Sequence, residues 1–147
     1  MSDAGKVEFH HGMGDKLAYA CRLLRKAYRA GAQVVVTGSP DVLKTLDRQL
    51  WVFDEQDFVP HVLALAGAPL APRLADTPVW LTDDPQQVPG ERQILVNVGQ
   101  TVPQGLARYT RLFEVVSLAP DDRQAGRQRW KAYAAMGWQV QPHEAKD

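Results

Sequence analysis

Apolar and polar positions alternate with two different periods along this chain, and each change of period marks an element. Lys6–Phe9 reads as a short strand. After Asp15, a capping residue, Leu17, Ala20, Cys21, Leu24 and Tyr28 recur at helical spacing, and Gly31 ends that helix. Gln33–Val36 is a β-branched run of the kind buried in a parallel sheet. Ser39 and Pro40 supply a cap and a first helical residue for a second helix, with Val42, Leu43, Leu46 and Leu50 on its buried side. Short strands are expected within Phe58–Leu65, at Val79–Leu81, at Ile94–Val98 and at Leu112–Ser117, with a surface loop over Gly67–Asp76 and a polar turn over Asp83–Arg92. A third helix runs from Pro120 towards Gly137, and a last strand covers Trp138–Val140 before a polar tail that reads as frayed from about Gln141. Strand and helix alternate throughout. That pattern predicts a single α/β domain over residues 1–147, with a largely parallel sheet, helices on both faces and a Rossmann-like topology.

The third helix departs most from ordinary amphipathicity. At 100° per residue, Arg123, Arg127 and Lys131 share one stripe, and Trp130 and Ala134 lie beside them. Ala125, Ala132 and Met136 fall on the other side with Tyr133 flanking, which makes that side the expected inward face. Arg129 lies among those apolar positions and must snorkel or find a carboxylate. Three cations around an outward indole suit a ligand that is acidic and ends in an apolar group. A helix kept in solution by its charges is the plainer explanation of the same stripe.

Composition narrows the classes. The chain has 147 residues, long enough for one real core. Its 17 basic residues balance 17 acidic ones, which disfavours wholesale binding to a nucleic-acid backbone and leaves any electrostatic role local. The single cysteine, Cys21, excludes an internal disulfide and fits a reducing cytoplasm; mid-helix, it reads as a core thiol. Neither a signal peptide nor an apolar run near 18 residues is evident, so a soluble cytoplasmic protein without membrane contact is expected.

Catalytic patterns are missing. Gly12-Met13-Gly14 lies where a dinucleotide fingerprint begins, but Leu17 occupies the third glycine position and no acidic residue ends the second strand. A tight turn explains these glycines. The pattern GxxxxGK[ST] does not occur. Adjacent His10 and His11 on an extended strand point to opposite faces and cannot chelate together; His61 and His143 stand elsewhere. No nucleophile elbow is present. Neither a cofactor, a metal nor a catalytic residue is predicted.

The aromatic residues carry more information. Trp51 closes the second helix, and Phe58-Val59-Pro60-His61 follows an acidic turn, Asp54-Glu55-Gln56-Asp57. These rings serve either as core or as interface anchors. The segments Leu46-Asp47-Arg48-Gln49-Leu50-Trp51, Phe58-Val59-Pro60-His61, Arg127-Gln128-Arg129-Trp130-Lys131-Ala132-Tyr133 and Gly137-Trp138 together resemble the chi subunits of bacterial DNA polymerase III. The likeness runs from the first strand to about Val140. One difference is Trp130, where the family often has Tyr.

The resemblance implies a non-catalytic accessory subunit of the polymerase holoenzyme in DNA replication. Such a subunit binds the acidic C-terminal tail of single-stranded-DNA-binding protein and links it to the clamp loader through the psi subunit, so that its association with DNA is indirect. Carried over by position, Arg127, Trp130 and Lys131 are the expected tail-binding residues, with Arg123 on the same stripe and Leu118 as a further wall of the apolar pocket. Trp51 and Phe58 are the expected psi-facing residues. Two other classes remain open at this point. One is a Rossmann-type nucleotide-binding enzyme built on Gly12 and Gly14, and the other is direct binding of single-stranded DNA by the cations and Trp130.

Overall fold

A computed structural model describes residues 5–52, 58–65 and 72–145. Among the described residues, seven strands form one sheet: β1 (Lys6–Met13), β2 (Val34–Thr37), β3 (His61–Leu63), β4 (Val79–Leu81), β5 (Ile94–Asn97), β6 (Arg111–Ser117) and β7 (Gln139–Glu144), in the order β3-β4-β2-β5-β6-β1-β7. Every pairing is parallel. Three helices connect them: α1 (Lys16–Arg29), α2 (Pro40–Val52) and α3 (Pro120–Ala135). The α/β, Rossmann-like class is therefore observed. Among the described residues, no helix is long and apolar enough to cross a membrane.

Pleating divides the core in two, because successive strand residues face opposite ways. Val34 and Val36 pack with Leu24, Leu43, Leu46 and Leu81 under α1 and α2. Val35 packs with Val7, Phe9, Leu95, Leu112 and Tyr133 under α3. The caps read from sequence are in place. Asp15 accepts from the Ala18 amide at 3.0 Å, Ser39 Oγ accepts from the Val42 amide at 3.4 Å, and Pro120 opens α3. Gly137, with φ +92°, turns the chain out of α3.

Several expectations are corrected. β1 continues past Phe9 to Met13, with an irregularity between His11 and Met13 at Gly12, where φ is +92°. The chain after Gln141 is not frayed: it pairs with β1 through Glu144. Its charged and polar side chains had suggested a tail, but an edge strand needs only a backbone ladder. Gln139 N–H donates to the Gly5 carbonyl and Ala145 N–H to the His11 carbonyl, so odd-numbered residues of β7 face β1. Val140, Pro142 and Glu144 therefore face the open edge, and Pro142 has no N–H to offer there. Arg92, placed by sequence in a polar turn, is buried and donates to the carbonyls of Pro78, Ala75 and Thr77, stitching the entry to β4. The acidic turn 54–57 and residues 67–71 of the predicted loop lie outside the described residues; the loop's remainder begins with a single 3-10 turn, Pro72–Leu74.

The inward face of α3 is also different from the expectation. Asp122, Gly126, Arg129 and Tyr133 are buried, while Met136 is half exposed and Ala125 and Ala132 are only partly covered. Two polar anchors rotate the helix this way. Asp122 accepts from the Ser117 amide at 2.7 Å and from Lys16 Nζ at 3.1 Å, which fixes the first turn to β6 and α1. Arg129 Nε donates to Glu114 Oε1 at 2.9 Å, and its Nη1 donates to the Gln100 carbonyl at 2.9 Å. Gly126 permits the close approach, since a Cβ there would stand 3.0 Å from Val116 Cγ2.

Candidate functional site: an apolar groove rimmed by cations on α3

Rotation of α3 about that polar side presents Arg123, Arg127 and Lys131 to solvent along one stripe. Beneath them, Trp130 is partly buried against Phe9, with ring centroids 5.0 Å apart. A groove of about 370 Å³ opens here between α3 and the edge of the sheet. Phe9 and His11 of β1, Val116 of β6 and Pro142 of β7 form its floor, and Gly126 and Trp130 form its wall. It therefore offers an apolar recess of single-ring size under three positive charges.

Of the residues singled out from sequence, Arg123, Arg127, Trp130 and Lys131 are brought together at this groove. Leu118 is not among its lining residues; it stands 54 % exposed before the start of α3. Phe9, His11, Val116, Gly126 and Pro142 were missed. The usable signal was the alternation Val7, Phe9, His11, which places three side chains on the α3 side of β1. Pro142 lies in the segment that reads from sequence as a polar tail and folds as β7.

Trp51 and Phe58 form a separate surface at the far side of the molecule, beside edge strand β3. Trp51 is 59 % and Phe58 46 % exposed, and their ring centroids are 5.1 Å apart. Underneath, His61 is fixed between the Val59 carbonyl, 2.7 Å from Nδ1, and Asp47 Oδ1, 3.1 Å from Nε2.

Electrostatics set the two sides of α3 apart. Glu114 is fully buried; burial pushes its carboxyl up, against the pull of Arg129 and of hydrogen bonds from Tyr133 and Asn97. Asn97 Nδ2 reaches Glu114 Oε2 at 2.9 Å, and the Tyr133 hydroxyl bonds the same oxygen. Burial also works to raise the Asp122 carboxyl, but the Ser117 amide and Lys16 outweigh it and the net direction is down. These groups are consumed inside the fold.

A larger cleft of about 1100 Å³ lies at the carboxyl ends of the strands, where nucleotides sit in many Rossmann-like folds. Asp83, Asp84, Asp121 and Asp122 line it together with Lys16, whose ammonium already pairs with Asp122. That donor set repels phosphate. Gly12 lies in the irregularity of β1, and Gly14 precedes the Asp15 cap.

The family described as DNA polymerase III chi subunit, HolC, matches residues 5–141. The chain belongs to this family. DNA polymerase III subunit chi of Pseudomonas aeruginosa is 33 % identical over 131 residues, covering 87 % of this chain and 85 % of that one. The chi subunits of Haemophilus influenzae and Escherichia coli K12 are 27 % and 26 % identical, each over 82 % of this chain and over 81 % and 79 % of theirs. Membership in the chi family gives the chain an accessory role in DNA replication, within a complex and hence with protein partners. Among solved structures, the C-terminal domain of Saccharomyces cerevisiae Dbp5 bound to Gle1 and IP6 superposes with a TM-score of 0.63 at 9 % identity, over 97 % of this chain and 91 % of that one. At that identity the likeness concerns the fold alone.

Proposed function

We propose that this chi-family chain is a non-catalytic adaptor whose α3 groove takes the acidic C-terminal tail of single-stranded-DNA-binding protein. The observation that carries the reading is the joining of Arg123, Arg127 and Lys131 to an apolar recess walled by Trp130. A terminal Phe ring fills the recess, and its carboxylate and the preceding aspartates meet the guanidinium of Arg127 and the ammonium of Lys131. Charge-assisted bonds of this kind contribute about 1.5–3 kcal/mol each. After the cost of ordering a flexible tail, a single contact amounts to about −7 to −8 kcal/mol, near micromolar. Several tails on one oligomeric partner then raise the attachment by avidity.

The Trp51–Phe58 surface supports the second half of the reading, a link to the clamp loader through psi. Two large rings held side by side in the open are poor economy for a monomer and good anchors for a partner. The two surfaces lie apart in the molecule, so one chain can hold both partners at once.

A pull-down with intact single-stranded-DNA-binding protein, and with the same protein lacking its last few residues, tests the first half. Capture of the intact form alone is the expected result; equal capture of both overturns it. A thymidine oligonucleotide should leave the intact capture unchanged, whereas competition by it favours direct DNA binding.

A further inference from the structure

We propose that a second groove, on the opposite face of the sheet under α1, docks a short acidic protein segment carrying one aromatic or branched aliphatic side chain. This groove encloses about 400 Å³ and opens beside the C-terminal half of α1. Leu23 and Ala27 of α1 wall it, and Ile94, Val96 and Phe113 of β5 and β6 form an apolar floor wide enough for one ring. Arg22 and Lys26, one helical turn apart, stand on one rim and Arg111 on the other. Glu8 is the one carboxylate among the described lining residues, 3.5 Å from Arg111 Nη2. Three cations thus face a single anion around an apolar floor, which is the charge pattern an acidic segment complements.

Two further features make the groove more than a charged surface. The Arg22 guanidinium lies 5.5 Å from the Tyr19 ring centroid and that of Arg111 5.0 Å from the Phe113 centroid. Rings that hold cations in this way reduce the entropy lost when a guest pairs with them. His10, only 4 % exposed, lies in the groove lining with Nδ1 hydrogen-bonded to the Tyr19 hydroxyl. Its buried Nε2 faces Glu8 Oε1 at 3.4 Å. Tyr19 and Glu8 thus fix the ring from both sides and keep this end of the groove in one shape. Burial, and then the charge of His143, lower the His10 pKa to about 4, so the ring is neutral near pH 7.

The pleat keeps the two grooves independent. Phe9 and His11 of β1 face the α3 groove, and Glu8 and His10 face this one. The inference therefore stands apart from the reading of α3. A nucleic-acid occupant is disfavoured, because three cations neutralise too few phosphates for stable binding.

The test uses the full chain with Arg127→Ala and Lys131→Ala, which disables the α3 rim. The probe is a fluorescein-labelled peptide, Glu-Asp-Phe-Asp-Glu, capped as the amide and followed by fluorescence polarisation. Saturable binding is expected in this background, and adding Arg22→Glu and Lys26→Glu should weaken it at least tenfold. Both positions are exposed on α1, and a thermal melt of each variant checks that the fold is retained. Amide resonances of Leu23, Ala27 and Phe113 should shift as the peptide is added to the background variant. No saturable binding, equal affinity after the two charge reversals, or shifts confined to α3 and β7 overturns the proposal.

Discussion

Arg127 and Arg129 are two residues apart on one helix and have opposite fates. Arg127 is exposed at the rim of an apolar groove, while Arg129 is 2 % exposed, with Nε on Glu114. The side chain is the same and only the angle around the helix differs. A cation paired with a buried carboxylate inside the fold contributes to one packing arrangement. A cation left beside an apolar recess is available to a guest. Charge content alone cannot tell these roles apart, because the deciding partner of Arg129 is on β6, across the helix–sheet interface.

The most severe way to break this comparison is to remove the buried partner. Glu114→Ala leaves Arg129 buried without its carboxylate and should lower unfolding free energy by about 3–5 kcal/mol, measured by urea denaturation. Adding Arg129→Met to the same variant should recover part of that loss, because the stranded charge is gone. Arg129→Ala should likewise disturb packing and leave tail-peptide affinity nearly intact.

The second prediction extends the interior side of the comparison to His10. Its pKa is lowered from 6.5 to about 4 in the fold, first by burial and then by His143. Between those values the unfolded chain binds more protons than the native one, so stability rises with pH across the window. Acidification from pH 7 to 4 should therefore remove up to about 3 kcal/mol through this ring. His10→Gln should flatten that part of a stability–pH profile. An unchanged profile would mean that another group controls it.

The surface side is tested by binding. Lys131→Ala or Arg127→Ala should cost about 1.5–3 kcal/mol of tail-peptide affinity, roughly 10- to 150-fold, with little change in melting temperature. Wild-type affinity should fall with added salt, because these cations are exposed. Calorimetric titration of a peptide ending in Asp-Ile-Pro-Phe decides it. If Arg129→Ala loses more affinity than either rim variant, the comparison is inverted and the assigned face is wrong.

The smallest stability effect is expected at the aromatic surface. Trp51→Ala and Phe58→Ala should change folding free energy by no more than about 1 kcal/mol, since both rings are about half exposed. Each should abolish co-purification with the clamp-loader-side partner and keep tail binding. Simple unfolding of both variants would mean that the rings belong to the core.

The local signals of the fold were legible: Asp15 and Ser39 as caps, Pro120 as a first helical residue, and the β-branched runs that became β2 and β5. These depend on neighbours in sequence, so pattern reading reaches them. The inward face of α3 was legible only in part: helical spacing puts Arg129 inward and in need of a carboxylate, which Glu114 supplies, but Asp122 looks like a surface residue until Ser117 and Lys16 are seen opposite it. Glu114 itself gave no signal, being a charge inside a strand whose bonding partners come from β5 and α3. The rim of the α3 groove could be read from helical spacing, but its floor could not. Phe9, Val116 and Pro142 come from three strands that only the sheet order makes neighbours.

Pro142, at the open edge beside the α3 groove, bears on how long a guest stays. An extended peptide can add to a sheet edge through a ladder of main-chain bonds, and such a ladder must be undone cooperatively. Here the edge lacks a donor at the position that also floors the groove. A guest is then held by its side chains and its terminal carboxylate, and the residues before them are free to vary. At micromolar affinity and ordinary association rates, each such contact lasts about 0.1–10 s. In the proposed adaptor the attachment therefore lets go and rebinds, and its persistence comes from the number of tails offered.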